Sequence, residues 1–199
     1  MPAALTGPRL PPRSGTAKQL VVFLHGYGAD GNDLIEIGRQ WFALTFRDPH
    51  ERWRGVNHAG PGLDAWLDQE LAGHNLPASK LALVGFSQGT MMALHLALRR
   101  REPVAAVVGY SGMLVLEEGK GADSLKAAVR ATPPILLIHG DQDDLIPLDA
   151  LFISGETLAA AEVPCEWHLS AGIGHGIDGE GLRHGGLFLR RAFGLPYPK

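Results

Sequence analysis

Residues 83–90 read LVGFSQGT: an aliphatic run enters Gly85-Phe86-Ser87-Gln88-Gly89, a serine set between two glycines in the pattern G-x-S-x-G. Glycines on both sides of one serine suit a turn too tight for neighbouring side chains. Chains accept such a turn where a hydroxyl must stand at the top of a strand as a nucleophile. A serine that merely caps a helix accounts for Ser87 but leaves both glycines without a reason. The pattern is short enough to arise by chance, so its meaning depends on its surroundings.

The surroundings are a regular alternation. LVVFL at 20–24, LALV at 81–84, VAAVV at 104–108 and ILLI at 135–138 read as buried strands without polar alternation, and CEWHL at 165–169 as a further one. Helical spacing of apolar residues recurs at 63–71, 91–98, 148–161 and 182–193. Continuous apolar strands separated by helices define an α/β fold, a mostly parallel sheet with helices on both faces.

The 199 residues, 45% hydrophobic and 20% charged, fit a single domain over 1–199, with no repeat and no linker. A net charge of −3 offers no footprint for nucleic acid. Arg99-Arg100-Arg101 reads as the last turn of a helix, where cations suit the dipole. One cysteine, Cys165, excludes a disulfide framework and a thiolate metal cluster. The opening MPAALTGPRLPPRSG lacks the apolar core of a signal peptide, and no later stretch is long enough to span a membrane. The expectation is a cytoplasmic protein.

In sheets of this class, sites form in the loops at the carboxyl ends of the strands, and four of these ends carry conspicuous residues. After LVVFL comes His25-Gly26-Tyr27-Gly28-Ala29-Asp30-Gly31. Gly26, Gly28 and Gly31 match the dinucleotide fingerprint G-x-G-x-x-G, and Asp48 stands near the distance of a ribose-binding acid. The same turn also suits an oxyanion hole, with the Tyr27 N–H aimed at a developing negative charge. Taken alone, the segment serves either purpose. After LALV comes Ser87, at the start of a helix, with the Gln88 N–H facing the same point as that of Tyr27.

After ILLI comes His139-Gly140-Asp141-Gln142-Asp143-Asp144-Leu145-Ile146-Pro147. A calcium loop fails here, because Leu145 holds the fifth position and Phe152 the twelfth. One acid is free to orient a histidine while the others make turns and caps. Asp141 falls inside the turn, Asp144 leads toward the next helix, and Asp143 falls at the outer tip. After CEWHL comes Gly172-Ile173-Gly174-His175-Gly176. Of nine histidines, His175 alone combines a strand end with a glycine loop; His50, His58, His74, His95, His168 and His184 read as structural. Ser87, Asp143 and His175 then follow the chain order of the G-x-S-x-G hydrolases.

On these residues the chain resembles the α/β-hydrolase superfamily, in its phospholipase/carboxylesterase branch that includes acyl-protein thioesterases. LHGYGADGND, LVGFSQGT, HGDQDDLIP and GIGHGI carry the resemblance, with RQWFALTFRDP and GLRHGGLFLRRAFG beside them. The resemblance implies a catalytic triad of Ser87, Asp143 and His175 and an oxyanion hole of the Tyr27 and Gln88 amides. It also implies hydrolysis of a small-molecule ester, thioester or lysophospholipid, without metal or cofactor. Trp41 and Phe42 are candidates for the acyl pocket, with plain core packing the alternative.

The chain departs from the branch after Gly38, where DLIEIG runs straight into RQWF and a strand with its loop is missing. An edge at 20–24 is then left bare. Residues 41–46 (WFALTF) are expected to lack partners or to take the vacant place, unless a second subunit in a homodimer covers it. Two rivals follow: a nicotinamide-dependent oxidoreductase using the GYGADG loop, and a non-catalytic binding protein on a decayed hydrolase scaffold.

Overall fold

The computed structural model describes residues 5, 7–12, 14–26 and 48–196. Within them the order is β1 (Leu20–Leu24), α1 (Pro49–Gly73), β2 (Leu81–Phe86), α2 (Gln88–Ala97), β3 (Ala106–Tyr110), α3 (Ala122–Ala128), β4 (Ile135–Gly140), α4 (Asp149–Ala160), β5 (Cys165–Ser170) and α5 (Gly179–Ala192). The five strands lie side by side in chain order, all parallel. Each crossover therefore steps in the same direction, and right-handed crossovers place α1 to α4 on one face.

The core divides as strand alternation requires. Leu81, Leu83, Val107, Ile135 and Leu137 pack with Leu63, Leu67, Leu94, Leu125, Leu151 and Leu158 of the four helices. Val84, Val108, Tyr110, Leu136 and Ile138 point the other way and are covered by Phe188, Leu189 and Ala192 of α5. The central strands are thus buried on both faces, which is why they read as unbroken apolar runs.

The ladder of β3 begins at Ala106, two residues later than the apolar run starts, and runs on so that Tyr110 faces Phe86. Val104 and Ala105 are buried ahead of it. Helix α1 begins far earlier than its apolar spacing indicates. Asp48 Oδ1 accepts the His50 N–H at 2.8 Å, and Pro49 stands at the helix start, where its missing N–H costs nothing. Gly55, Gly60, Pro61 and Gly62 thin the helical pattern, yet Val56, Ala59 and Leu63 still reach the core.

The three arginines lie beyond α2, not in its last turn, because the helix ends at Ala97 with Leu98 as cap. Arg100 is an anchor instead: its guanidinium pairs with Asp64 and Asp68 of α1. Arg99 stacks on Trp53 with 5.5 Å to the ring centroid. Among the described residues β1 pairs only with β2, and Phe23 is 70% exposed. The expectation for residues 41–46 falls outside the described residues.

His95 is wedged between α1 and α2, edge-on to Trp53 at 5.7 Å, with Nδ1 buried and unpartnered. Burial, helped by the Arg99 charge, pushes its pKa down from 6.5 to about 3. The folded protein thus refuses a proton that the unfolded chain accepts below pH 6.5. Stability is full above that pH and is lost as pH falls toward 3. Between pH 6.5 and 5 this one group is expected to remove about 1–2 kcal/mol, at roughly 1.4 kcal/mol per pH unit. Urea unfolding at both pH values checks it: His95→Leu should flatten the loss by that amount, and an unchanged pH dependence would refute the assignment.

Candidate active site

Ser87 joins β2 to α2 in a sharp turn with φ 55° and ψ −117°, a backbone conformation unusual for a residue with a side chain. Its side chain makes no capping hydrogen bond to the helix it precedes. The flanking glycines are explained by packing. A Cβ at Gly85 would overlap the backbone of Gly89 and Thr90, and one at Gly89 would overlap the carbonyl of Leu24. The end of β1, the end of β2 and the first turn of α2 are therefore in direct backbone contact. Ser87 is only 2% exposed, whereas a strand-top turn leads one to expect an exposed hydroxyl. Segments beyond neighbouring strands press against it: a Cβ at Gly26 would stand 3.0 Å from the Ser87 Cβ, and one at Gly112 would overlap Thr90 and the Ser87 carbonyl.

Gln88 opens α2, so its N–H is one of the first-turn donors that find no partner inside a helix. Tyr27, Trp41 and Phe42 lie outside the described residues. Gly26, immediately before Tyr27, is placed against Phe86 and Ser87.

Asp143 lies in the loop after β4 with a fully buried side chain. Its Oδ1 accepts the N–H groups of Leu145 and Ile146 at 3.0 and 2.9 Å. Its Oδ2 accepts His175 Nδ1–H at 2.8 Å. An ionised carboxylate only accepts, so this bond holds a proton on Nδ1 of His175, and in the neutral ring Nε2 is the acceptor. Asp141 is engaged otherwise, with Oδ1 accepting the Gly172 N–H at 2.7 Å, and Asp144 is exposed.

Three neighbours of these residues have no role assigned by the sequence alone. His139 Nε2 donates to the Ile146 carbonyl at 2.8 Å and stands 3.3 Å from Asp143 Oδ2, walling in the carboxylate. Phe86 lies against the His175 ring, 5.0 Å between centroids. Ser111 follows β3, the one strand end passed over in the sequence reading. It takes φ 44° and donates its hydroxyl to the Gly176 carbonyl at 3.0 Å. The small pair Ser111-Gly112 behind an apolar strand was the available clue.

Burial and the adjacent Glu166 push the Cys165 thiol up to about 12, away from thiolate character. Among the described residues one group has metal-ligand character, His168 with Glu180 and His184, on β5 and α5. No helix there is long and apolar enough to cross a membrane.

Residues 33–192 match the Phospholipase/Carboxylesterase family, and the chain belongs to it. Its sheet and strand-end turn are those of an α/β-hydrolase, and the chain is a hydrolytic enzyme of this family. The crystal structure of esterase PE8 superposes with a TM-score of 0.82 at 37% identity, covering 96% of this chain and all of that one. The esterase YpfH of Escherichia coli K12 is 30% identical over 168 residues, 82% of this chain and 66% of that protein. Acyl-protein thioesterase 1 of Gibberella zeae is 25% identical over 231 residues, 96% and 97% of the two chains. That alignment is longer than the whole 199-residue chain, so the fungal protein carries segments with no counterpart here. The nicotinamide reading finds no support: Asp48 is occupied as a helix cap, and these relatives are named for ester and thioester chemistry. The decayed-scaffold reading finds none either.

The turn at Ser87 makes a prediction by contrast. Gly89→Ala sets a methyl against a backbone carbonyl that no rotamer change relieves, and should cost about 3 kcal/mol or more. That is a fall of roughly 10 °C in Tm for a chain of this size. Gly62→Ala, on α1 with open space around it, should instead raise stability by up to about 1 kcal/mol. Thermal melts of the two variants check both signs.

Proposed function

We propose that the chain hydrolyses carboxylic esters or thioesters through an acyl-serine intermediate on Ser87. The observation that carries this reading is the 2.8 Å hydrogen bond from His175 Nδ1 to the buried carboxylate of Asp143. It leaves Nε2 free to take a proton, in a chain whose uncapped, strained serine stands in the pattern of a nucleophile elbow.

Ser87 Oγ attacks the substrate carbonyl as His175 Nε2 takes its proton. The resulting oxyanion is stabilised by the N–H of Gln88 and, as the family resemblance implies, that of Tyr27. The imidazolium then protonates the departing alcohol or thiol, leaving Ser87 acylated. Water repeats the attack with His175 as base, releasing the acid and restoring the serine. Asp143 stays ionised throughout and holds the imidazole in the productive tautomer. Trp41 and Phe42 are the side chains proposed to receive the acyl chain.

The relatives' names divide between esterase and thioesterase. Nitrophenyl esters and acyl thioesters of short to long acyl chains, run on one preparation, decide the leaving atom and the acyl length. Ser87→Ala should lower turnover by about 10⁴-fold on every active substrate and abolish labelling by a fluorophosphonate. Turnover retained in that variant would sink the assignment.

The acid is tested separately. Asp143→Asn should cost about 10⁴-fold in kcat by disfavouring the Nδ1–H tautomer. Asp144→Asn, at an exposed position, should cost less than about 10-fold. A reversal of these two effects would move the role to Asp144.

A further inference from the structure

Strand β5 alternates, and its residues Glu166, His168 and Ser170 face α5. The outer two are paired: Ser170 Oγ donates to Asp178 Oδ1 at 2.8 Å, and Glu166 accepts from Arg191. His168, between them, is not. Its ring stacks on that of His184 with centroids 4.1 Å apart and planes at 30°, and its Nε2 is buried with no hydrogen-bond partner. One turn before His184, on the same face of α5, Glu180 brings Oε1 to 3.7 Å from His184 Nε2, beyond hydrogen-bond reach. A donor atom from each of the three side chains lies within 4.8 Å of the other two. An imidazole with one orphaned nitrogen, a second imidazole and a carboxylate stand together there without satisfying one another.

We propose that His168, Glu180 and His184 form a binding site for a divalent cation of the zinc class, which ties β5 to α5. Two neutral imidazoles and one carboxylate form a three-ligand set typical of zinc, with water in the fourth position. Around a tetrahedral ion at about 2.0–2.1 Å the donor atoms stand about 3.4 Å apart, so the observed spacing must close slightly. The mobile partner is Glu180, whose side chain is 61% exposed, followed by His184 at 37%. His168 is held by its strand, and the Ser170–Asp178 and Glu166–Arg191 pairs hold strand and helix together on either side without the ion. The backbone frame of the site is therefore in place before an ion arrives, with ligands from elements that flank the loop carrying His175. The stacked rings of His168 and His184 must turn for each to aim one nitrogen at a shared ion. Nitrogen donors favour Zn²⁺, Ni²⁺, Co²⁺ and Cu²⁺ over Mg²⁺, which prefers an all-oxygen octahedron.

The test is independent of turnover. The full-length protein, stripped with a chelator, is titrated with ZnCl₂ by calorimetry at pH 7.5 and melted with and without the ion. One Zn²⁺ per chain should bind with Kd in the range of about 0.1–10 μM and raise Tm, because the ion binds the folded state. His184→Ala should weaken binding by about 100-fold or more and cancel the rise in Tm. Glu180→Gln, at an exposed position that leaves folding untouched, should weaken it by about 10-fold. Excess MgCl₂ should not compete. Absence of zinc uptake, or uptake that both variants leave unchanged, would overturn the proposal; the latter result would place the ion elsewhere on the chain.

Discussion

At Gly85 and Gly89 three backbones approach so closely that no side chain fits between them, and the geometry at Ser87 follows from that contact. Holding a serine at φ 55° costs on the order of 1–3 kcal/mol. The return comes from β3: the Tyr110 carbonyl accepts both the Ser87 N–H at 2.8 Å and the Thr90 hydroxyl at 2.9 Å. Thr90 reaches it because Gly109 and Gly112 present no side chains, and a Cβ at either would collide with it. The strained turn is thus a property of β1, β2 and β3 together.

The histidine and its acid are built on the other half of the sheet. A buried carboxylate is unfavourable unless its lone pairs are used, and those of Asp143 receive two backbone N–H groups and one imidazole N–H. The two halves meet at Ser111. Its N–H donates to the Ile138 carbonyl at 2.8 Å, and its hydroxyl reaches the Gly176 carbonyl beside His175. Its φ of 44° is a second point of backbone strain, on the seam between the serine side and the histidine side.

Particular residues show how much of this was legible in advance. The strands were readable because a parallel sheet covered on both faces needs unbroken apolar runs, and β1 matches its run residue for residue. Ser87, Asp143 and His175 stood out because glycine and charge at strand ends are visible in one dimension. Ser111 and Phe86 were invisible for the opposite reason: a small hydroxyl and an apolar ring acquire meaning only through neighbours 65 and 89 positions away. The close packing around Ser87 is equally non-local, with Gly26 and Gly112 brought against it from beyond the ends of β1 and β3. The first turns of α1 escaped because Gly55, Gly60, Pro61 and Gly62 interrupt the period, although Asp48-Pro49 supplies a proper start. Arg99 to Arg101 misled because a basic run after apolar residues fits both a helix end and a cross-helix anchor. Only the positions of Asp64 and Asp68 on α1 separate the two.

The loop that carries His175 shows how a glycine-rich segment is made rigid. Residues 171–178 include three glycines, and Gly172 takes φ 73°, so the chain's own preferences do little to fix the imidazole. Contacts from outside do it. At one end Asp141 accepts the Gly172 N–H, and the Ile173 carbonyl accepts the Gln142 N–H at 2.9 Å. At the other end Ser111 holds the Gly176 carbonyl and Ser170 holds Asp178. The bonds from the Gly181 N–H and from Ser170 keep the Asp178 carboxyl below its usual range, so it stays ionised as the cap of α5. Gly140 completes the fit, since a Cβ there would overlap the carbonyls of Ile173 and Gly174. Glycine supplies the path, and the loop after β4 supplies the rigidity. The same loop also supplies the acid, so the orientation of His175 and the position of its partner are fixed by one set of contacts.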